Sequence, residues 1–235
     1  MRLDNYLVEN EFVDSRNKAQ TIIKDGLVAV NEQIIKKSSL KIEEGDVVVV
    51  KEHKNYVSRA AIKLEEFLHD IALDVSKKIA LDIGSSTGGF TQVLLERGVS
   101  EVSAVDVGTN QLHPSIKNDK RVFSYESCDI RNFESEKTFD LVVSDVAFIS
   151  LLYILDDVQR LATDDIILLF KPQFEVGREV KRDKNGVVLD KKAIAKAREK
   201  FEDACKLKGW NLIEQSTSKL TGKEGNLEYC YYYKK

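Results

Sequence analysis

Apolar residues keep a helical spacing at the start of the chain, shorten to strand-like runs after residue 26, and alternate between the two patterns from residue 79. Leu3, Tyr6, Leu7 and Val8 share one face of a predicted helix over residues 2–10. Asp14-Ser15 offers an N-cap for a second helix, which carries Ala19, Ile22 and Ile23 and stops at Gly26. Residues 27–31, 34–35 and 47–50 are short apolar runs that read as strands. Two helices followed by short strands predict a small αα-ββ module of about fifty residues, close to the lower limit of independent stability. Residues 52–58 are polar and unpatterned. The expected organisation is therefore a small α+β domain over residues 1–51, a linker over 52–58 and a larger domain over 59–235.

The larger domain opens with a helix at Ser58 whose apolar face is Ala60, Ala61, Leu64, Phe67 and Leu68. Lys63 stands at the border of that face, where a lysine ordinarily carries its ammonium out to water. Residues 79–83, 101–107, 122–125, 141–144 and 166–170 then read as strands, with helices over 89–97, 111–118 and 150–161. This β-α-β-α rhythm predicts an α/β fold with a doubly wound, mostly parallel sheet and a ligand at the carboxyl ends of its strands. Residues 210–218 and 227–233 alternate well enough for two antiparallel strands at the sheet edge, seven strands in all.

Composition narrows the class. At 235 residues, 43% hydrophobic and 32% charged, the chain can bury a sizeable core. No run approaches the roughly 18 apolar residues of a membrane span, and the charged N-terminus lacks a signal-peptide pattern, so a cytoplasmic protein with no membrane partner is expected. Cys128, Cys205 and Cys230 are too scattered for a disulfide framework or a zinc site, and read as packing residues. A net charge of −3 invites no nucleic acid globally, so any RNA contact must rest on local patches.

Candidate chemistry centres on residues 82–92, Asp-Ile-Gly-Ser-Ser-Thr-Gly-Gly-Phe-Thr-Gln, a strand running through a glycine turn into a helix. The G-x-x-x-G-G spacing is neither a dinucleotide fingerprint nor a P-loop. Asp106, Asp129 and Asp145 follow successive strands on that same edge, and Asp106 lies where a carboxylate would accept a ribose diol. A nicotinamide dehydrogenase fits the architecture but would need the tighter glycine spacing. Lys171-Pro172 closes the fifth strand. A lysine at the mouth of an apolar strand is costly to desolvate as a cation, which suits it to act as a base when other cations lie near. Residues 178–200 hold nine basic and four acidic side chains, a solvated loop and helix face or a polyanion contact. Glu228 falls within the last predicted strand, where an inward carboxylate would need a partner. In the N-terminal module Arg16, Gln20 and Lys24 form one polar stripe; acids and bases balance there, so charge alone favours a solvated face.

Two resemblances change these odds. Arg2-Leu3-Asp4-x-x-Leu7, Ser15-Arg16-x-Lys18-Ala19, Gly26-x-Val28-x-Val30-Asn31 and Gly45-Asp46-x-Val48 resemble the S4 RNA-binding domain, with Glu32 departing from the usual glycine. The loop at 82–92, with Ser58-Arg59-Ala60-Ala61-x-Lys63-Leu64 and Ser144-Asp145-Val146-Ala147, resembles the FtsJ-type ribose 2′-O-methyltransferases. Adding Lys171-Pro172-Gln173-Phe174-Glu175-x-Gly177-Arg178, the whole chain is similar to the TlyA family, once labelled haemolysins.

The resemblance implies a Rossmann-like class I methyltransferase domain that uses S-adenosyl-L-methionine to methylate cytidine 2′-hydroxyls of ribosomal RNA within ribosomal subunits. DNA and membranes are not expected partners, and no metal is implied. It implies a catalytic tetrad at Lys63, Asp145, Lys171 and Glu228, with Lys171 as base. It places the cofactor against Asp82, Gly84, Ser86, Gly88, Gly89, Phe90, Asp106, Asp129 and Asp145. Because S-adenosylmethionine carries no phosphate, the absence of a P-loop lysine is then expected. Candidate RNA contacts are Arg2, Arg16, Lys18, Gln20, Lys24, Arg59, Arg178, Lys181 and Arg182. Rival expectations are a non-catalytic RNA-binding factor that retains the fold, and a membrane-lytic protein, for which no amphipathic segment speaks.

Overall fold

In the computed structural model, which describes residues 1–50 and 56–235, the N-terminal pattern folds as α1 (Leu3–Glu9), α2 (Arg16–Lys24), β1 (Val28–Val30), β2 (Gln33–Ile34) and β3 (Val48–Val50). Ser15 caps α2 by accepting from the Lys18 amide, and Gly26 leaves the helix at φ +74°. The strands are antiparallel in the order β2-β1-β3, and Leu3, Leu7, Ala19, Ile23 and Val28 form the core beneath them. The β1–β2 turn holds Asn31 at φ 49° and Glu32 at φ 67°. Two successive left-handed residues are what a tight hairpin turn needs, so the glycine usual in S4 domains meets a backbone demand that Glu32 meets with strain.

The chain divides into two units, residues 1–55 and 56–235. Residues 51–55 of the expected first domain and linker lie outside the described residues. Tyr56 and Val57 already pack on the core of the larger unit, where the Val57 amide donates to Gln92 Oε1 at 2.8 Å.

That unit runs α3 (Arg59–Asp70), β4 (Ile79–Ile83), α4 (Gly89–Glu96), β5 (Glu101–Val105), α5 (Pro114–Lys117), β6 (Val122–Tyr125), β7 (Phe139–Ser144), α6 (Leu155–Leu161), β8 (Ala162–Phe170), α7 (Pro172–Glu175), α8 (Lys191–Leu207), β9 (Asn211–Thr217) and β10 (Tyr229–Lys234). The seven-stranded sheet has the order β6-β5-β4-β7-β8-β10-β9, with β4 to β8 mutually parallel. Strand order reverses between β4 and β7, which opens a crevice at their carboxyl ends. One face of the sheet buries Leu64, Phe67, Val93 and Ile116 from α3, α4 and α5; the other buries Val158, Leu161, Phe201 and Cys205 from α6 and α8.

Several expected elements shift for local reasons. The helix expected over 111–118 shrinks to α5, because Glu126 accepts the amides of Gln111 and Leu112 and Pro114 sets the first helical residue. The helix expected over 150–161 begins as a 3₁₀ turn, Leu151–Tyr153, before α6. The loop and solvated helix face read over 178–200 become a loop followed by α8, which runs on to Leu207: its apolar residues are spaced among lysines, and only Phe201 and Cys205 are fully buried. The last two strands form the expected antiparallel edge, in reversed order. β10 inserts between β8 and β9 because Cys230, Tyr231, Tyr232 and Tyr233 fill both faces, which leaves β9 exposed along its length.

Candidate active site

The glycine turn after β4 is shaped by backbone demands that the crevice imposes. Gly84 sits at φ +81°, and a Cβ there would meet Val146 at 3.1 Å, so the loop lies closely against the segment after β7. Ser86 adopts φ 47° and donates its amide to Asp106 Oδ2 at 2.8 Å, while the Gly108 amide holds Oδ1 at 2.7 Å. Asp106 is thereby fixed at the rim of a cavity of about 250 Å³ lined by Gly84, Ser86, Asp106, Asp129, Asp145 and Phe148 among others. A second cavity of about 220 Å³ shares Gly84, Ser86 and Asp145 with it and adds Gly89, Phe90 and Lys171.

Three residues expected at the cofactor, Gly88, Gly89 and Asp82, also have packing or hydrogen-bond partners of their own. Gly88 lines neither cavity; a Cβ on it would strike Leu112 at 2.8 Å, so its small size serves the packing of α5. Gly89 does reach the second cavity, but a Cβ there would lie 2.1 Å from Ser58 Oγ and 3.0 Å from the Ala61 amide. Its absence of side chain lets α3 lie on α4, and the Ser58 hydroxyl faces that contact instead of capping α3. Asp82 is fully buried under the loop, accepting from Thr91 Oγ1 at 2.6 Å through Oδ2, with Oδ1 lacking a partner among the described residues.

Burial pushes the Asp82 carboxyl up to about 7, the Thr91 hydrogen bond opposes this, and the charges of Asp145 and Asp106 add to it. A carboxyl raised in the folded state stabilises the fold below its unfolded value and loses that contribution as pH rises through the folded value. Relative to D82N, the parent should therefore lose stability between about pH 4 and pH 7. Urea midpoints of both proteins across that range test it; a constant difference would remove Asp82 from the titrating groups.

The four expected tetrad residues meet as two pairs, with Asp145 and Lys171 at the second cavity and Lys63 and Glu228 buried behind them. Lys63 Nζ lies 2.5 Å from Glu228 Oε2, and Lys171 Nζ lies 2.6 Å from Asp145 Oδ1 and donates to the Asp145 carbonyl at 3.2 Å. Lys63 does not carry its ammonium to water as its border position suggested: it is 9% exposed, because Glu228, 2% exposed, receives it inside. Glu228 precedes β10 and is also approached by Gln173 Nε2 at 3.5 Å. Pro172 opens α7 directly after Lys171 and fixes the chain's departure from β8. Burial pushes the Asp145 carboxyl up, against the opposing charges of Lys171 and Lys63.

Two residues that the sequence left without a role, Glu175 and Phe148, have one in the structure. Glu175 accepts from Ser150 Oγ at 2.6 Å and from the Leu151 amide at 2.8 Å, which ties the segment after β7 to the segment after β8. Phe148 is 92% exposed at φ 66°, with its ring 5.3 Å from that of Phe174 at the cavity mouth. A bulky residue held in the left-handed region is a signal that backbone geometry alone gives.

The candidate RNA contacts differ among themselves. Arg2, Arg16 and Gln20 all donate to Asp4. Lys18 pairs with Asp14 at 2.7 Å, and Lys24 is exposed in the last turn of α2. Arg59 is exposed and reaches the Thr221 carbonyl at 3.4 Å; Arg178 and Lys181 are exposed. Arg182 is turned inward, donating to the carbonyls of Gln173, Gly177, Arg178 and Val180, so its guanidinium pins the loop.

The FtsJ-like methyltransferase family matches residues 56–235, and the S4 domain matches residues 1–48. Over 251 aligned residues, and 99% of each chain, the protein is 44% identical to the 23S rRNA (cytidine-2′-O)-methyltransferase TlyA of Campylobacter jejuni. The chain belongs to the TlyA family. It is 37% identical to the 16S/23S rRNA (cytidine-2′-O)-methyltransferase TlyA of Mycobacterium tuberculosis, across 97% of this chain and 87% of that one. A solved hemolysin-named structure from Streptococcus thermophilus superposes with a TM-score of 0.75 at 35% identity, covering 100% of this chain and 88% of the other. The TlyA family thus accounts for both units, an S4 domain and a class I methyltransferase domain. Among the described residues, no helix is long and apolar enough to cross a membrane.

Proposed function

We propose that the protein methylates the ribose 2′-hydroxyl of a cytidine in ribosomal RNA, with S-adenosylmethionine as methyl donor and Lys171 as the group that takes the hydroxyl proton. The observation that carries this reading is the pairing of Lys171 with Asp145, with the Lys63–Glu228 pair close enough to act on it, where Asp145 also lines a cavity that holds carboxylates and no cation. Phosphate would find no lysine or arginine among the residues lining the first cavity, whereas Asp106, Asp129 and Asp145 suit a cationic, phosphate-free ligand. Asp106 would take the ribose hydroxyls; Gly84 and Ser86 would take the methionine end. The unpartnered Oδ1 of Asp82 leaves an acceptor under that loop. When bound, S-adenosylmethionine supplies an already activated sulfonium methyl.

What the chain must add is alignment and a place for one proton, since a ribose hydroxyl is a poor nucleophile at neutral pH. Lys171 can accept that proton only after giving up its own. The acceptor 2.6 Å away is Asp145, whose carboxyl burial has raised. With its proton moved onto Asp145, Lys171 Nζ presents a lone pair to the 2′-hydroxyl. Lys63 stays neutralised by Glu228, so the four groups together bury no net charge. Exclusion of water by the surrounding apolar strands makes each of these interactions stronger than it would be in solution.

The names of the Campylobacter and Mycobacterium relatives support the cytidine 2′-hydroxyl as target, and the S4 match supports structured RNA as partner. Purified protein, S-adenosylmethionine and ribosomal subunits should yield 2′-O-methylcytidine in the extracted RNA, mapped by its block to alkaline cleavage. Deleting residues 1–50 should abolish that product and leave S-adenosylmethionine affinity intact. Absence of 2′-O-methylcytidine from RNA treated with the full chain would sink the enzymatic reading; equal activity of the deletion variant would remove the S4 unit from recognition.

A further inference from the structure

Asp4, in the first turn of α1, has no exposed surface, yet it is a carboxylate in a small unit where an unanswered buried charge would be costly. Three side chains answer it. Arg2 donates Nε and Nη2 at 2.9 Å each, Arg16 donates Nε at 3.0 Å, and Gln20 donates Nε2 at 3.0 Å, with the Asn5 amide at 3.1 Å. The Arg2 hydrogen bonds, then those of Gln20 and Arg16, hold the carboxyl well below the usual range, so Asp4 stays ionised.

Arg2 and Arg16 nevertheless remain half outside, 42% and 53% exposed along their side chains. Arg2 has committed two nitrogens to Asp4 and Arg16 only one, so each keeps N–H groups that face away from the carboxylate. Arg16 and Gln20 stand one helical turn apart on α2, and Arg2 comes from the residue before α1. One buried acid thus gathers donors from two elements onto a single surface, with one positive charge to spare.

We propose that Asp4 is a positioning residue that fixes Arg2, Arg16 and Gln20 as one rigid fork for the phosphate backbone of structured RNA. The proposal rests on the reading of the S4 unit as the RNA-binding part. A guanidinium held through one edge loses little freedom when its other edges meet a phosphate, whereas a free arginine must be ordered at that moment. Simple charge counting makes the opposite forecast, because removing an anion from a polyanion-binding surface should tighten binding.

Affinity of the full chain for purified ribosomal subunits, measured across a salt series, separates the two. D4N should bind at least tenfold more weakly, with a salt slope shallower by about one phosphate, although it removes no cation. R16K keeps the charge but cannot both hold Asp4 and present a second edge, so it should lose most of what R16Q loses. In an R2Q/R16Q background D4N should add nothing. Binding by D4N equal to or tighter than the parent's, or an equal D4N loss in the R2Q/R16Q background, would overturn the inference and leave Asp4 a structural residue. Unweakened binding by R2Q/R16Q itself would overturn the RNA reading of the S4 unit. If D4N loosens that unit, amide exchange at Leu7 and Ile23 will register it, and R16K decides: parent-level affinity in that variant refutes the fork.

Discussion

Lys171→Ala should lower methyl transfer by about 10²- to 10⁴-fold, the usual worth of a positioned proton acceptor, while S-adenosylmethionine affinity changes little. Lys171 lines the second cavity but not the first, where the cofactor is expected, so the binding groups Gly84, Ser86 and Asp106 are untouched by its loss. Asp145 would not substitute as base. Without the lysine its buried carboxyl loses its largest opposing charge and moves further up, so it holds its proton rather than accepting another. Lys171→Arg separates charge from proton transfer: a guanidinium keeps the cation beside Asp145 but does not deprotonate in proteins. Both variants should therefore show a loss of that size in single-turnover assays with ribosomal subunits and should bind cofactor in calorimetry. Parent-like turnover by Lys171→Arg would show that the lysine contributes only its charge.

The strands and their acids were the legible part of this chain. A period of two, apolar runs and aspartates one residue past β5 and β7 mark the crevice in the sequence itself, because those signals are local. The burial of Lys63 is not legible in its helix, for the complementary reason. Its helical position says border, and only Glu228, far along the chain and delivered by β10, turns it inward. The glycines show the same division. Gly84 follows from the turn itself, but the work of Gly88 and Gly89 depends on Leu112 and Ser58, which no spacing rule relates to them. Among the basic candidates, sequence could not separate Arg182, spent on four carbonyls, from Arg178 and Lys181, which face water. α8 is only partly legible because lysine stems tolerate the edges of a buried face, which blurs its period.

The pair Lys63–Glu228 carries the other large expectation, a separation of stability from activity. Both groups are almost wholly buried and 2.5 Å apart, so removing one partner leaves the other as an uncompensated charge. Lys63→Met alone should destabilise the methyltransferase unit by about 3–5 kcal/mol, the common cost of breaking a buried pair. Glu228→Gln should cost less, since its amide can still accept from Lys63 Nζ and meet Gln173, but it leaves the ammonium unneutralised. The double variant Lys63→Met/Glu228→Gln removes both charges together, and most of the lost stability should return, because buried pairs are often no better than neutral packing. Activity should not return with it. Lys63 is one of the two cations opposing the rise of the Asp145 carboxyl, so without it the proton balance between Asp145 and Lys171 is altered however well the fold has recovered. Denaturant midpoints and single-turnover rates of the three variants measure the two quantities side by side. A double variant that regains stability and turnover alike would reduce Lys63–Glu228 to a packing feature and leave Lys171–Asp145 to act alone.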